Sequence, residues 1–153
     1  MLREPGKTHL TVLRVVLTAA IAESFVHYLD NTLRYSDYTG ADPPAVTSWI
    51  TRWMIPVSWV LFTGAAIVGY RRFREGRWPQ AAAWLGVYSA SGLISMGHYL
   101  GISISDLSAF QNTFVFLDIA LGVAVLAFAL WTAIRLSGTG AADPPPRVHA
   151  GSP

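Results

Sequence analysis

The chain has 153 residues, of which 52% are hydrophobic and 13% are charged, and its formal net charge is +2 at pH 7. Because a soluble domain carries about 25% charged residues, this composition argues against a soluble protein and favours an integral membrane protein. The chain contains no cysteine, which excludes disulfides, thiolate-bound clusters and a thiol nucleophile.

Four apolar segments follow one another along the chain, at about residues 10–29, 50–70, 80–100 and 112–134. Each is long enough, at 1.5 Å per residue, to cross about 30 Å of hydrocarbon. We therefore predict an all-α integral membrane protein, in which residues 1–136 form a four-transmembrane-helix bundle. Residues 137–153 are rich in Gly, Pro and Ala, which predicts a disordered cytoplasmic tail.

The first segment also has an alternative interpretation as a cleaved signal peptide. Ala20 and Ala22 precede Glu23 with the spacing of a small-residue cleavage site, and a basic residue lies upstream. The apolar core would then cover only residues 15–19, which is shorter than the usual seven or more. We therefore favour a first span that is retained, since cleavage would leave three spans.

Basic residues mark one set of connections between the spans. The segment RRFREGRWP at 71–79 carries four arginines, whereas residues 101–110 contain no Lys or Arg. By the positive-inside rule, both termini are predicted to be cytoplasmic (N-in, C-in) in the plasma (inner) membrane. The basic pI is explained by this asymmetry, so nucleic acid is not an expected partner. The expected partners are the lipid bilayer and either a second copy of the chain or another membrane protein.

Ionisable side chains within the predicted spans are costly to bury and therefore mark candidate functional positions. The first span supplies Glu23, His27 and Asp30 on one helical face, and Asp118 of the fourth span lies at a similar depth to Glu23. His98 of the third span matches the level of His27. We predict a polar pocket open to the outer face, floored by Glu23 and Asp118 and rimmed by the other three residues.

Further residues are predicted to support this pocket. Arg52 lies at the outer start of the second span, and Ser91 and Ser95 share the histidine-bearing face of the third. Pro56 is expected to kink the second helix near the pocket, since proline removes a backbone donor. The loop 31–48 is expected to cover the pocket.

The triplet His-Tyr-Leu occurs twice, at residues 27–29 and 98–100. A shift of 71 residues aligns the two copies, and a parallel repeat of two hairpins is geometrically allowed. The match beyond the triplet is too thin to establish a duplication. The informative part is the pair of histidines, which topology places on the same side of the membrane.

Several functions are compatible with these residues, and the sequence does not decide whether the protein is an enzyme. The first is an accessory or interaction subunit, because small residues at four-residue spacing favour close helix packing. The second is a proton-coupled enzyme or transporter of a small or lipid-like substrate. In it Glu23 and Asp118 act as acid and base, and His27 and His98 exchange protons with the outside.

A bound metal or haem is a further alternative, although the sequence requires no cofactor. Glu23, His27, Asp30, His98 and Asp118 are residue types that suit zinc, iron or manganese, and a four-residue spacing places two of them one turn apart. Alternatively, His27 and His98 could be the axial ligands of one b-type haem.

Overall fold

The computed structural model describes residues 7–40, 45 and 48–136 of the chain. Throughout these residues the regular secondary structure is helical and no strand occurs, which confirms the predicted all-α class. The predicted tail 137–153 lies outside the described residues. The helices are α1 (Lys7–Leu33), α2 (Tyr35–Thr39), α3 (Met54–Arg74), α4 (Trp78–Ile94) and α5 (Ala109–Leu136), with 3₁₀ segments at Ser95–Leu100 and Ile104–Asp106.

Three of these helices, α1, α3 and α5, are long and apolar enough to cross a membrane, as judged by length and composition. α4 is shorter, with 17 residues of α-helix. The long helices also carry many large apolar side chains on their outward faces. A soluble protein would bury most of these side chains. Examples of these exposed side chains are Val15, Phe25, Leu61, Leu130 and Ile134.

The four long helices pack in a closed ring, in which α1 and α4 each contact both α3 and α5. At the end of the ring where α3 stops and α4 begins, here called the arginine end, apolar side chains such as Leu13 and Leu85 form the core. At the opposite end, called the α2 end, Tyr38, Leu107 and Val115 form a second apolar cluster. Buried polar side chains lie between these two clusters.

Glycines allow α4 and α5 to approach each other closely. A Cβ atom on Gly92 would collide with the backbone oxygen of Asp118, and one on Gly122 would lie 3.1 Å from the Cα of Gly92. Between α3 and α4, Gly69 packs in the same way, since a Cβ atom added to it would lie 3.0 Å from the side chain of Leu85. The small residues predicted to favour close packing are therefore covered by helices of the same chain.

The helix boundaries differ from the predicted segments at two functionally relevant points. The second helix begins at Met54, so Arg52 precedes it and the predicted segment 50–70 starts too early. Pro56 is the third residue of this helix, where a backbone N–H has no intrahelical acceptor, so the proline breaks no intrahelical hydrogen bond there. The third helix, predicted to end near residue 100, tightens into a 3₁₀ segment at Ser95.

Helix α2 lies within the loop that was expected to cover the pocket. Its Tyr38 is 2% exposed, and Tyr35 donates a hydrogen bond to the carbonyl oxygen of Ile50. Arg52 Nε donates to the carbonyl oxygen of Thr32 at 2.6 Å, which ties the start of α3 to the end of α1. These contacts hold α2 across the end of the ring.

Candidate functional site

One stripe of α1 supplies three buried polar side chains. Glu23, His27 and Asn31 follow one another at intervals of four residues, which places them on one face of the helix. Their exposed fractions are 9%, 1% and 7%, so all three point into the ring. The sequence singled out the first two. Asn31 was missed, although its spacing from His27 was a signal that could have identified it.

Asp118 of α5 and Ser95 of the 3₁₀ segment meet this stripe at His27. Ser95 donates its hydroxyl hydrogen to Asp118 Oδ2 at 2.5 Å. His27 Nε2 lies 3.5 Å from the Ser95 oxygen and 4.0 Å from Asp118 Oδ2. Because the serine hydrogen is already used, Ser95 is an acceptor toward His27, and we therefore assign the ring proton of His27 to Nε2.

The two histidines of the repeated triplet meet at the α2 end. Their rings contact edge to face, with 5.6 Å between centroids. His98 Nε2 lies 3.1 Å from Asn31 Nδ2, and since an amide nitrogen only donates, His98 Nε2 is the acceptor. The ring of Tyr38 stands 4.8 Å from that of His98. Tyr38 was not predicted as part of the site, because its position depends on how the loop folds back.

Three buried atoms of this cluster have no hydrogen-bond partner in the described part of the chain. They are both carboxyl oxygens of Glu23 and Nδ1 of His27. Glu23 is nevertheless close enough to Asp118 for the two carboxyls to interact. Buried polar groups in native proteins are nearly always paired, and leaving one unpaired costs about 1–3 kcal/mol. Because Glu23 faces Asp118, Nδ1 of His27 is the atom of this cluster that most clearly lacks a partner among the described residues.

A cavity of about 280 Å³ opens beside the cluster, and His27, Ser95 and His98 form part of its wall. The remaining wall is rich in aromatic side chains and comes from α1, α2, α3, the segment before α3, the end of α4 and the 3₁₀ segment that follows it. A cavity of this size and lining is typical of a small-molecule site. Its aromatic side chains are Tyr28, Tyr35, Tyr38, Trp49 and Phe62.

The structure does not bring every predicted residue into this site. Asp30 accepts a hydrogen bond from the Tyr38 hydroxyl at 2.9 Å and lies 3.4 Å from Arg34, away from the two histidines. Ser91 donates to the carbonyl oxygen of Tyr88 in its own helix. Arg52 is bound to the backbone of α1. Asp30, Ser91 and Arg52 therefore support the surrounding helices, and do not line the cavity. Glu23 and Asp118, which were predicted to form its floor, do not line it either.

The hydroxyl of Tyr38 connects the cavity wall to Asp30. Burial raises the pKa of this hydroxyl, and its hydrogen bond to Asp30 raises it further. Tyr38 consequently stays protonated and continues to donate to Asp30 well into the alkaline range. This bond holds α2 against α1 beside the cavity.

The donor set does not fit the metal or haem alternatives. Within the described ranges, no group of three or more His, Asp or Glu side chains could hold a metal ion. The Nε2 atoms of His27 and His98 face different partners, and their rings are in direct contact. This contact leaves no gap for a macrocycle between them. A Ser-His-Asp triad is not formed either, because the serine and the aspartate lie at the same nitrogen of His27.

Comparison with known proteins adds no assignment. No protein family, curated protein or solved structure matches this chain significantly. The geometry of the cluster and its cavity is therefore the basis for any functional proposal.

Proposed function

We propose that this protein binds a small ligand with an apolar body and a hydrogen-bond donor, and exchanges a proton with it through His27. The single observation that carries this proposal is the unpartnered buried acceptor of His27 in the cavity wall. In the described part of the chain, no donor faces Nδ1 of His27, which lines the cavity and has no proton on this nitrogen of the neutral ring. A hydroxyl or amino group on a ligand would supply what is missing.

The wall of the cavity supports the apolar part of this ligand class. Aromatic rings offer a large apolar contact area, while their polar atoms are held by the protein, as in the bond from Tyr38 to Asp30. A small or lipid-like molecule fits such a wall better than a highly charged one does. This agrees with the substrate class expected from the sequence.

The position of His27 supports a proton relay. Its Nε2 proton faces Ser95 and Asp118, and its Nδ1 is free to accept a proton from the ligand. Uptake at Nδ1 and release from Nε2 toward Asp118 would move one proton from the cavity to the carboxyl pair. Glu23, which interacts with Asp118, completes the pair that receives it. The ligand loses a proton and the pair gains one.

We further propose that the ring of helices is a four-span bundle of the plasma membrane with both termini in the cytoplasm. α4 extends about 26 Å in its 17 residues, and the six-residue 3₁₀ segment adds about 12 Å, which together exceed the 30 Å of hydrocarbon. Three arginines in the last turn of α3, together with Arg77 before α4, favour the cytoplasmic side for that connection. The cavity would then open near the outer face.

An accessory subunit, the first of the functions considered from the sequence, remains a prediction with less support. The small-residue faces that would favour a partner helix are covered within the chain, as at Gly92 and Gly122. A purely structural polar cluster would also be expected to pair its buried acceptors.

The ligand can be sought without knowing its identity by filling the cavity. Gly97 lies in the cavity wall, and a Cβ placed on it meets no atom within 4 Å. We expect a small molecule to copurify with the wild-type protein, and to be lost from Gly97→Leu. Gly64→Leu is the matched control, because Gly64 is equally open but lies outside that wall. Mass spectrometry of organic extracts measures the bound molecule, and equal recovery from both variants would refute the cavity as its site.

A further inference from the structure

A second cavity lies at the arginine end of the ring, in a groove between α1 and α3. Its volume is about 260 Å³, and three guanidinium groups line it, from Arg14 of α1 and from Arg71 and Arg74 of α3. The rest of the groove is mainly apolar, with Leu17 and Ile67 among its lining residues. A basic rim next to an apolar channel is an unusual combination within one groove.

The three groove arginines are not neutralised by carboxylates in the part of the chain that the structure describes. The neighbouring arginines are paired, since Arg72 lies 2.9 Å and Arg77 lies 3.8 Å from Glu75. Among the described residues, no such pair is formed by the groove arginines. The groove therefore concentrates positive charge that these residues do not balance.

We propose that this groove binds the phosphate group of an anionic phospholipid, with one acyl chain lying along its apolar part. Arginine forks match phosphate oxygens in a bidentate manner, and a basic pocket between spanning helices is suited to anionic head groups. Both walls of the groove are helices long and apolar enough to cross a membrane, so a lipid can reach it laterally. The site is separate from the cavity at the α2 end and does not depend on the function proposed for it.

Two double variants test this site while removing equal charge from the same stretch of chain. Arg71→Gln with Arg74→Gln removes two groove arginines, whereas Arg72→Gln with Arg77→Gln removes two that do not line the groove. The detergent-solubilised protein is titrated with phosphatidylglycerol, and native mass spectrometry measures the lipid-bound fraction. We expect binding to weaken at least about tenfold in the first variant, and to stay within about threefold of wild type in the second.

Two further arms identify the source of the phosphate. Phosphatidylcholine should bind at least about tenfold more weakly than phosphatidylglycerol, because its head group carries no net charge. Inorganic phosphate at the same concentrations should not displace the lipid, since it lacks an acyl chain. Equal losses in the two double variants, equal binding of phosphatidylcholine, or displacement by inorganic phosphate would each overturn the proposal. Arg14→Gln should reproduce the loss from the other wall of the groove.

Discussion

Glu23 and Asp118 are both buried carboxyl residues of one cluster, but their surroundings differ. Asp118 accepts a short hydrogen bond from Ser95, whereas neither oxygen of Glu23 has a hydrogen-bond partner among the described residues. Removing Asp118 would leave the buried Ser95 hydroxyl without its acceptor. Removing Glu23 would remove only its contact with Asp118, which is itself a second buried carboxyl. The two residues should therefore affect the stability of the fold in opposite directions.

We expect Glu23→Leu to raise the free energy of unfolding by about 1–3 kcal/mol, which is the desolvation cost of an unpaired buried polar group. Asp118→Leu should lower it by a similar amount. Thermal unfolding of both variants in the same detergent measures the difference. If Glu23→Leu is destabilised as strongly as Asp118→Leu, Glu23 is structural, and the proposed cost of an unpartnered acceptor is incorrect.

At this scale the helical period and the depth of each residue were sufficient to predict that Glu23, His27 and Asp118 face the interior. They could not show that Asp30 stays out of the site. Asp30 lies on the same helical face, but it binds Tyr38 of the folded loop. The contact of His98 with Asn31 could not be predicted from the sequence either. It depends on the tightening of the chain at Ser95, which changes the direction of the following side chains.

Among the helices, α4 and α5 approach each other closely at Gly92. Asp118 belongs to the part of α5 that Gly92 touches, so the spacing of these two helices also sets the position of the carboxyl. A side chain at Gly92 would separate the helices. The glycine contact thus links helix packing to the geometry of the Ser95–Asp118 hydrogen bond.

We expect Gly92→Ala to destabilise the protein by about 1–3 kcal/mol, because a Cβ there overlaps the backbone of α5. Gly86→Ala is the matched control in the same helix, since a Cβ on Gly86 meets no atom within 4 Å. Alanine is favoured over glycine in a helix, so the control should gain up to about 1 kcal/mol. Unfolding midpoints in detergent compare the two, and a stable Gly92→Ala would mean that α4 and α5 can separate at little cost.

The helices themselves were largely predictable, because long apolar segments bounded by charged or turn-forming residues have few alternatives. Two details were not. The short helix α2 lies in a polar loop without a helical period, and its position depends on contacts of Tyr35 and Tyr38 with other elements. The start of α3 was misplaced because Ile50 and Trp53 directly precede the apolar helix and extend its pattern.

For the molecule as a whole, the decisive question is whether α4 crosses the membrane with the other long helices. If it does, the connection between α3 and α4 and the connection between α4 and α5 lie on opposite sides. If α4 does not cross, the two connections lie on the same side, and α4 would have to join the closed ring of four helices without spanning the membrane. The distribution of arginines favours opposite sides.

The absence of cysteine from the sequence makes this question accessible by labelling, because each introduced cysteine is the only thiol. Glu75→Cys and Ser105→Cys place exposed thiols before and after α4. A maleimide that cannot cross the membrane should label Ser105→Cys in intact spheroplasts, and Glu75→Cys only after the membrane is disrupted. Thr8→Cys should behave like Glu75→Cys, since both are predicted to be cytoplasmic. If Glu75→Cys and Ser105→Cys are instead both protected, or both labelled, in intact spheroplasts, α4 does not span and three crossing helices remain.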